Sequence, residues 1–161
     1  MGLRALVIHP DPVLRVDCSP VVDFDANLRD LAADMLDTMY AAFGRGLAAP
    51  QVGMTCRLFV TDFGWKDGTP DPRVFVNPVL TWASGGLQVY EEACLSLPDQ
   101  PRRLARPAEV DLDWQDLAGR HHQARFIGVP SVIVQHEADH LDGVLILDHP
   151  PVPLPAPKAP A

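Results

Sequence analysis

One stretch of the 161-residue sequence reads directly as chemistry: His136-Glu137-Ala138-Asp139-His140. On a helix, residues four apart share a face with β-carbons roughly 5–6 Å apart, so both imidazoles can reach one metal ion. Glu137 follows the first histidine, where its carboxylate can hold a water against an open coordination position. Two histidines leave a catalytic site of this kind one protein ligand short. Downstream, the candidates are Asp142, Asp148 and His149; upstream there is Cys94, in Glu91-Glu-Ala-Cys-Leu-Ser-Leu-Pro98 at the end of a strand-like run. Read from the residues alone the choice stays open, because a lone cysteine is equally at home as a small core hydrophobe. That core role is the reading for Cys18 and Cys56, and three scattered cysteines do not make a disulfide framework.

The motif needs a helix to carry it. Pro130 suits a first helical position, Val132, Ile133 and Val134 make the start apolar, and Gly143 supplies a stop. A second helix is predicted over Asp25 to Phe43, where Leu28, Leu31, Met35 and Met39 recur at three- and four-residue spacing behind an Asp25 N-cap. Between them, Gly44 to Gly53 reads as a glycine-punctuated loop, and Arg57–Phe63, Arg73–Leu80 and Leu87–Ala93 as strands. Val110, Leu112 and Trp114 alternate with polar residues, and Leu117-Ala-Gly119 turns that strand into Arg120–Phe126 as a hairpin. Val144 to Leu147 is a further strand candidate. The class is therefore α+β: antiparallel sheets packed around a central HExxH helix, with an N-terminal helix. Residues 1–148 form one catalytic domain in this reading, and the Pro/Ala-rich residues 149–161 an extended, disordered tail.

Composition limits the partners. The chain is 47% hydrophobic and 21% charged, an ordinary globular balance. Thirteen basic against twenty-one acidic residues give a net charge of −8, which repels a phosphate backbone, so no direct nucleic-acid binding is expected. No apolar run approaches the ~20 residues of a membrane span, and the first residues lack a signal peptide's apolar stretch. A cytoplasmic protein without a membrane partner is expected.

Three blocks then become informative together: Gly44-Arg-Gly-Leu-Ala-Ala-Pro-Gln51, Glu92-Ala-Cys-Leu-Ser96 and Gln135-His-Glu-Ala-Asp-His-Leu-Asp-Gly143. In order and spacing they resemble peptide deformylase, and the resemblance extends over roughly residues 7–148. It implies a hydrolase that removes the N-formyl group from formyl-methionyl peptides or nascent chains. On the matching positions, Cys94, His136 and His140 would hold one divalent metal, iron(II) first, with zinc, nickel or cobalt able to take its place. Glu137 would be general base and acid, and the Gln51 amide and Leu95 N–H the oxyanion hole. Gly46 and the strand before Cys94 would pair with the substrate backbone, and Glu92 and Arg106 would form a supporting ion pair. Val129, Val132 and Ile133, just before His136, fit either an apolar pocket for the methionine side chain or plain core packing. Ala93 departs from the family's pattern, which has glycine there, and the Pro101–Arg102 stretch differs too. Such departures leave room for a paralogue acting on another N-acyl or formamide substrate. Two more activities fit the motif: an HExxH protease, and a metal-stabilised module that binds peptide ends without cleaving them.

Overall fold

A computed structural model of the protein describes residues 2–155. Two helices, α1 (Ala26–Ala41) and α2 (Val129–Leu141), combine with seven strands: β1 (Gly46–Ala48), β2 (Leu58–Asp62), β3 (Pro72–Ala83), β4 (Leu87–Cys94), β5 (Leu97–Pro107), β6 (Glu109–Gln115) and β7 (His121–Ile127). Five strands form one antiparallel sheet in the order β1-β2-β3-β6-β7, while β4 and β5 make a separate hairpin. The HExxH helix α2 packs against β1, β2, β5 and β7 and so touches both sheets. This is the α+β arrangement that the sequence predicts.

The apolar spacing of α1 buries Leu28, Leu31, Met35 and Met39 against Leu47, Leu58, Val60 and Val76 of the sheet. Asp25 caps the helix as expected, its carboxylate accepting the Leu28 N–H at 3.0 Å. The other face of the sheet, through Phe59, Phe75, Leu112 and Phe126, packs on Val134 and Leu141 of α2. β2 is therefore covered on both faces, and all five of its residues are buried. That is why Leu58 to Val60 is continuously apolar and does not alternate.

The structure differs from expectation in three places. The Gly44–Gly53 loop contains β1 and a short 3-10 turn over Ala49–Val52. β5 is not foreseen, because Pro98, Pro101 and Pro107 and its arginines do not read as a strand; with β4 as its only strand partner, it can tolerate residues that lack an N–H. Val144 to Leu147 is not a strand. Instead Ile146–Asp148 forms a 3-10 turn, and Leu145 and Ile146 plug a small cluster with Leu14, Cys94, Leu97 and Leu104.

At the start of the Pro/Ala-rich tail, His149 Nε2 lies 2.8 Å from Asp139 Oδ2, and the Val152 N–H donates to Arg103 O at 2.7 Å. Residues 156–161 of that tail lie outside the described residues. No described helix is long and apolar enough to cross a membrane.

Candidate active site

The site forms where α2 crosses the end of the β4–β5 hairpin. Ser131 Oγ and Gln135 Nε2 donate to the Pro107 carbonyl at 3.2 and 3.0 Å, which anchors the first turns of the helix to β5. One helical turn further on, His136, Glu137 and His140 are all buried. A register shift in β4 between Glu92 and Cys94 turns the cysteine toward them. Ala93 sits at that bulge without a left-handed backbone angle, so its methyl is accommodated where the family pattern has glycine.

Cys94, His136 and His140 each offer one donor atom, and the three atoms lie within 4.8 Å of one another. Cys94 Sγ is 3.4 Å from His140 Nε2. The downstream candidates are engaged elsewhere. Asp142 accepts from Arg57 at 2.9 Å, Asp148 accepts from Arg15 at 3.1 Å, and His149 pairs with Asp139. Of the candidates for a third donor, Cys94 is the one that converges with the two histidines.

Behind the donors runs a buried polar network. His136 Nδ1 lies 2.9 Å from Glu92 Oε1, which fixes the ring and leaves Nε2 for the cluster. Arg106 clasps Glu92 through two bonds of 2.6 and 3.0 Å and reaches Asp139 at 2.9 Å. Burial pushes the Glu92 carboxyl up, but the bonds from His136 and Arg106 outweigh it and hold Glu92 below the usual carboxylate range. The Glu92–Arg106 pair is the one the family resemblance implies; its continuation through Asp139 to His149 has no sign in the sequence.

Glu137 contrasts with Glu92. Burial raises its carboxyl to about 7, Glu92 and Asp139 add to the effect, and His136 and Arg106 oppose it. Its Oε2 is buried without a hydrogen-bond partner, as is His140 Nδ1. Burial also lowers His136, but the Cys94 and Glu92 bonds more than compensate and raise it to about 10. For His140, burial and the His136 charge act together and take it well below its ordinary value. A soft sulfur, two imidazoles and an unpartnered carboxylate together want one shared positive charge, and a divalent metal fits that donor set.

Three further residues complete the site. Gly46 has a role that spacing could not reveal: a Cβ there would overlap Glu137 Oε1 and sit 2.8 Å from its Cδ. The glycine is what lets the carboxylate lie against β1. Gln51 Oε1 accepts the Ala48 N–H at 2.9 Å, which aims Nε2 at Cys94 Sγ, 3.6 Å away, and at Ser96 Oγ, 3.2 Å away. Ser96 closes one of the three sequence blocks, but nothing in the block marks it as a partner of Gln51. Leu95 lies in the connection between β4 and β5. Gly46, Gln51, Leu95, Val129, Val132 and Ile133 all line one cleft of about 850 Å³ that opens onto the donors.

An HExxH helix joined by a cysteine from a neighbouring hairpin, with a buried glutamate over an open cleft, defines a metal-dependent hydrolase. The family described as Polypeptide deformylase matches residues 3–153. The chain is 46% identical over 149 residues to a peptide deformylase of Mesorhizobium japonicum, covering 92% of this chain and 85% of that one. It is 46% identical over 150 residues to one of Brucella suis, with the same coverage of 92% and 85%. The crystal structure of peptide deformylase from Thermotoga maritima superimposes with a TM-score of 0.87 at 37% identity, covering 91% of this chain and 97% of that one. The chain belongs to the polypeptide deformylase family, hydrolases that take the N-formyl group off peptides.

Proposed function

We propose that the cleft hydrolyses the formamide of peptides that begin with formyl-methionine, nascent chains above all, with iron(II) as the resident ion held by Cys94, His136 and His140. Such chains are made in the cytoplasm, and the enzyme is assigned there. When bound, the ion supplies Lewis acidity, which lowers the pKa of a water from ~15.7 and polarises the formyl group. A thiolate ligand offsets part of that charge, so more of the deprotonation falls to the protein. Glu137, buried beside the donors with its Oε2 unpartnered, is placed for this task. It takes the proton from the attacking water and later delivers it to the departing amine nitrogen.

The Gln51 Nε2–H and Leu95 N–H donate to the oxygen on which negative charge develops. Removing one such donor costs ~2.7–4 kcal/mol in the transition state. Gly46 of β1 and the free edge of β4 receive the peptide backbone as an added strand, which carries the formyl group toward the donors. The methionine side chain, unbranched and apolar, enters between Val129, Val132 and Ile133.

The observation that carries this reading is the buried, unpartnered Glu137 carboxylate beside three converged donors. A purely structural site has no use for it, and nothing favours the non-catalytic binding module or another N-acyl substrate. The test is formate release from a formyl-Met tripeptide by anaerobically iron- or nickel-loaded protein. Wild type should turn over, and Glu137→Ala should keep its metal and lose nearly all activity. Full metal occupancy in the wild type without formate release would overturn the proposal.

A further inference from the structure

Besides hairpin and α2 residues, the cleft is lined by Phe43, Arg45 and Lys66. Lys66 is one of two lysines in the chain, the other being Lys158. Its ammonium lies 5.8 Å from the centre of the Trp65 ring. Among the described residues it forms no ion pair, and the neighbouring Asp67 pairs with Arg45 at 3.2 Å. An unpaired cation at the mouth of a substrate cleft is unusual in a chain of net charge −8.

The segment that presents Lys66 is rigidly built. Trp65 Nε1 donates to the Gly44 carbonyl at 2.8 Å, and the Trp65 ring meets the Tyr40 ring edge-on at 5.3 Å. Tyr40 Oη donates to Asp62 Oδ2 at 2.7 Å. The other oxygen of this fully buried carboxylate accepts the N–H groups of Gly64, Trp65 and Asp71 at 3.2, 3.0 and 3.0 Å. Five backbone and side-chain bonds and an aromatic contact thus fix the turn that carries Lys66 at the cleft. Glu91 of β4 and Asp99 of β5 line the same cleft.

We infer that Lys66 is a specificity-determining residue that binds a carboxylate of the peptide within the two or three residues after methionine. This rests on the deformylase reading above and names a substrate preference within it. Two sources supply that chemistry, an Asp or Glu side chain and the α-carboxylate of a short peptide. Trp65 supports the ammonium from beneath, and Asp67 pairs with Arg45.

The experiment compares kcat/KM for C-terminally amidated formyl-Met peptides carrying Asp or Glu at the second or third position with their Asn or Gln counterparts. A separate arm compares a free C-terminus with an amide. The acidic peptide should be favoured about two- to fivefold in one of the arms, the worth of an exposed ion pair. The effect should lie in KM rather than kcat, and should vanish in ~1 M salt, where charges are screened within about 3 Å. The acidic-to-neutral ratio should fall to about one in Lys66→Met, invert in Lys66→Glu and survive in Lys66→Arg. A ratio near one in every arm for wild type, or a ratio that Lys66→Met leaves unchanged, would overturn the inference. Failure of loaded wild type to turn over even the neutral peptides would instead overturn the deformylase reading.

Discussion

The five-stranded sheet and the β4–β5 hairpin are held in the molecule by different forces. The sheet is clamped between two helices by apolar burial, with Phe59, Phe75, Leu112 and Phe126 on one side and Leu47, Leu58, Val60 and Val76 on the other. The hairpin has a smaller apolar contact, through Leu97 and Leu104, and is tied to α2 by Glu92, Arg106 and Asp139. The sheet contributes rigidity and the glycine beside Glu137. The hairpin contributes the sulfur donor and the carboxylate that orients His136. Changes in the hairpin should therefore weaken metal binding more than changes in the sheet core do, because the hairpin supplies one donor and orients a second.

The largest effect expected is at the point where the sheet touches the chemistry. Gly46→Ala should displace the Glu137 carboxylate and lower turnover by ~10²–10⁴-fold, the worth of a positioned acid–base group. Metal content, measured by elemental analysis, should be unchanged. On the hairpin side, Glu92→Gln should weaken metal binding by ~10–100-fold, as loss of a ligand-orienting partner typically does. A chelator competition assay reads this directly. The sharpening control is Leu112→Ala in the sheet core, which should cost ~2–5 kcal/mol of stability in denaturant unfolding while leaving the metal affinity of the folded fraction as it was. Equal losses of metal affinity from the two variants would erase the distinction.

The smallest effect is in acid. Burial pushes Asp62 up, but the Asp71 N–H, the Tyr40 hydroxyl and the Gly64 and Trp65 N–H groups outweigh it and hold its pKa below the ordinary 3.8. A depressed folded-state pKa contributes stability that is complete above the unfolded value and is lost as pH falls through the folded one. Below pH 3.8, therefore, the Trp65 turn should loosen. Tryptophan fluorescence should report it, and Asp62→Asn should shift both the fluorescence and the acidic-peptide preference away from wild type already at neutral pH.

Legibility in the sequence follows the same division. Where burial sets the structure, periodicity reveals it: α1 with its Asp25 cap, β2, and the β6–β7 hairpin appear close to where spacing places them. β5 escapes such a reading because Arg106 serves its pairs with Glu92 and Asp139, and Arg102, Arg103 and Arg106 among three prolines carry no strand period. At the site, the HExxH pair is readable because one helix sets both positions. Cys94 can be singled out only by resemblance, since a lone cysteine has no period. Ser96 as a partner of Gln51, Asp139 as a partner of Arg106, and the steric need for Gly46 depend on contacts between distant segments that no local pattern encodes.

X-ray absorption on zinc-substituted protein probes the convergence of the hairpin and the helix most directly. One sulfur scatterer at about 2.3 Å and two imidazole nitrogens at about 2.0–2.1 Å are expected, with the sulfur contribution lost in Cys94→Ser. A shell without sulfur, or one that Cys94→Ser leaves unaltered, would contradict the account.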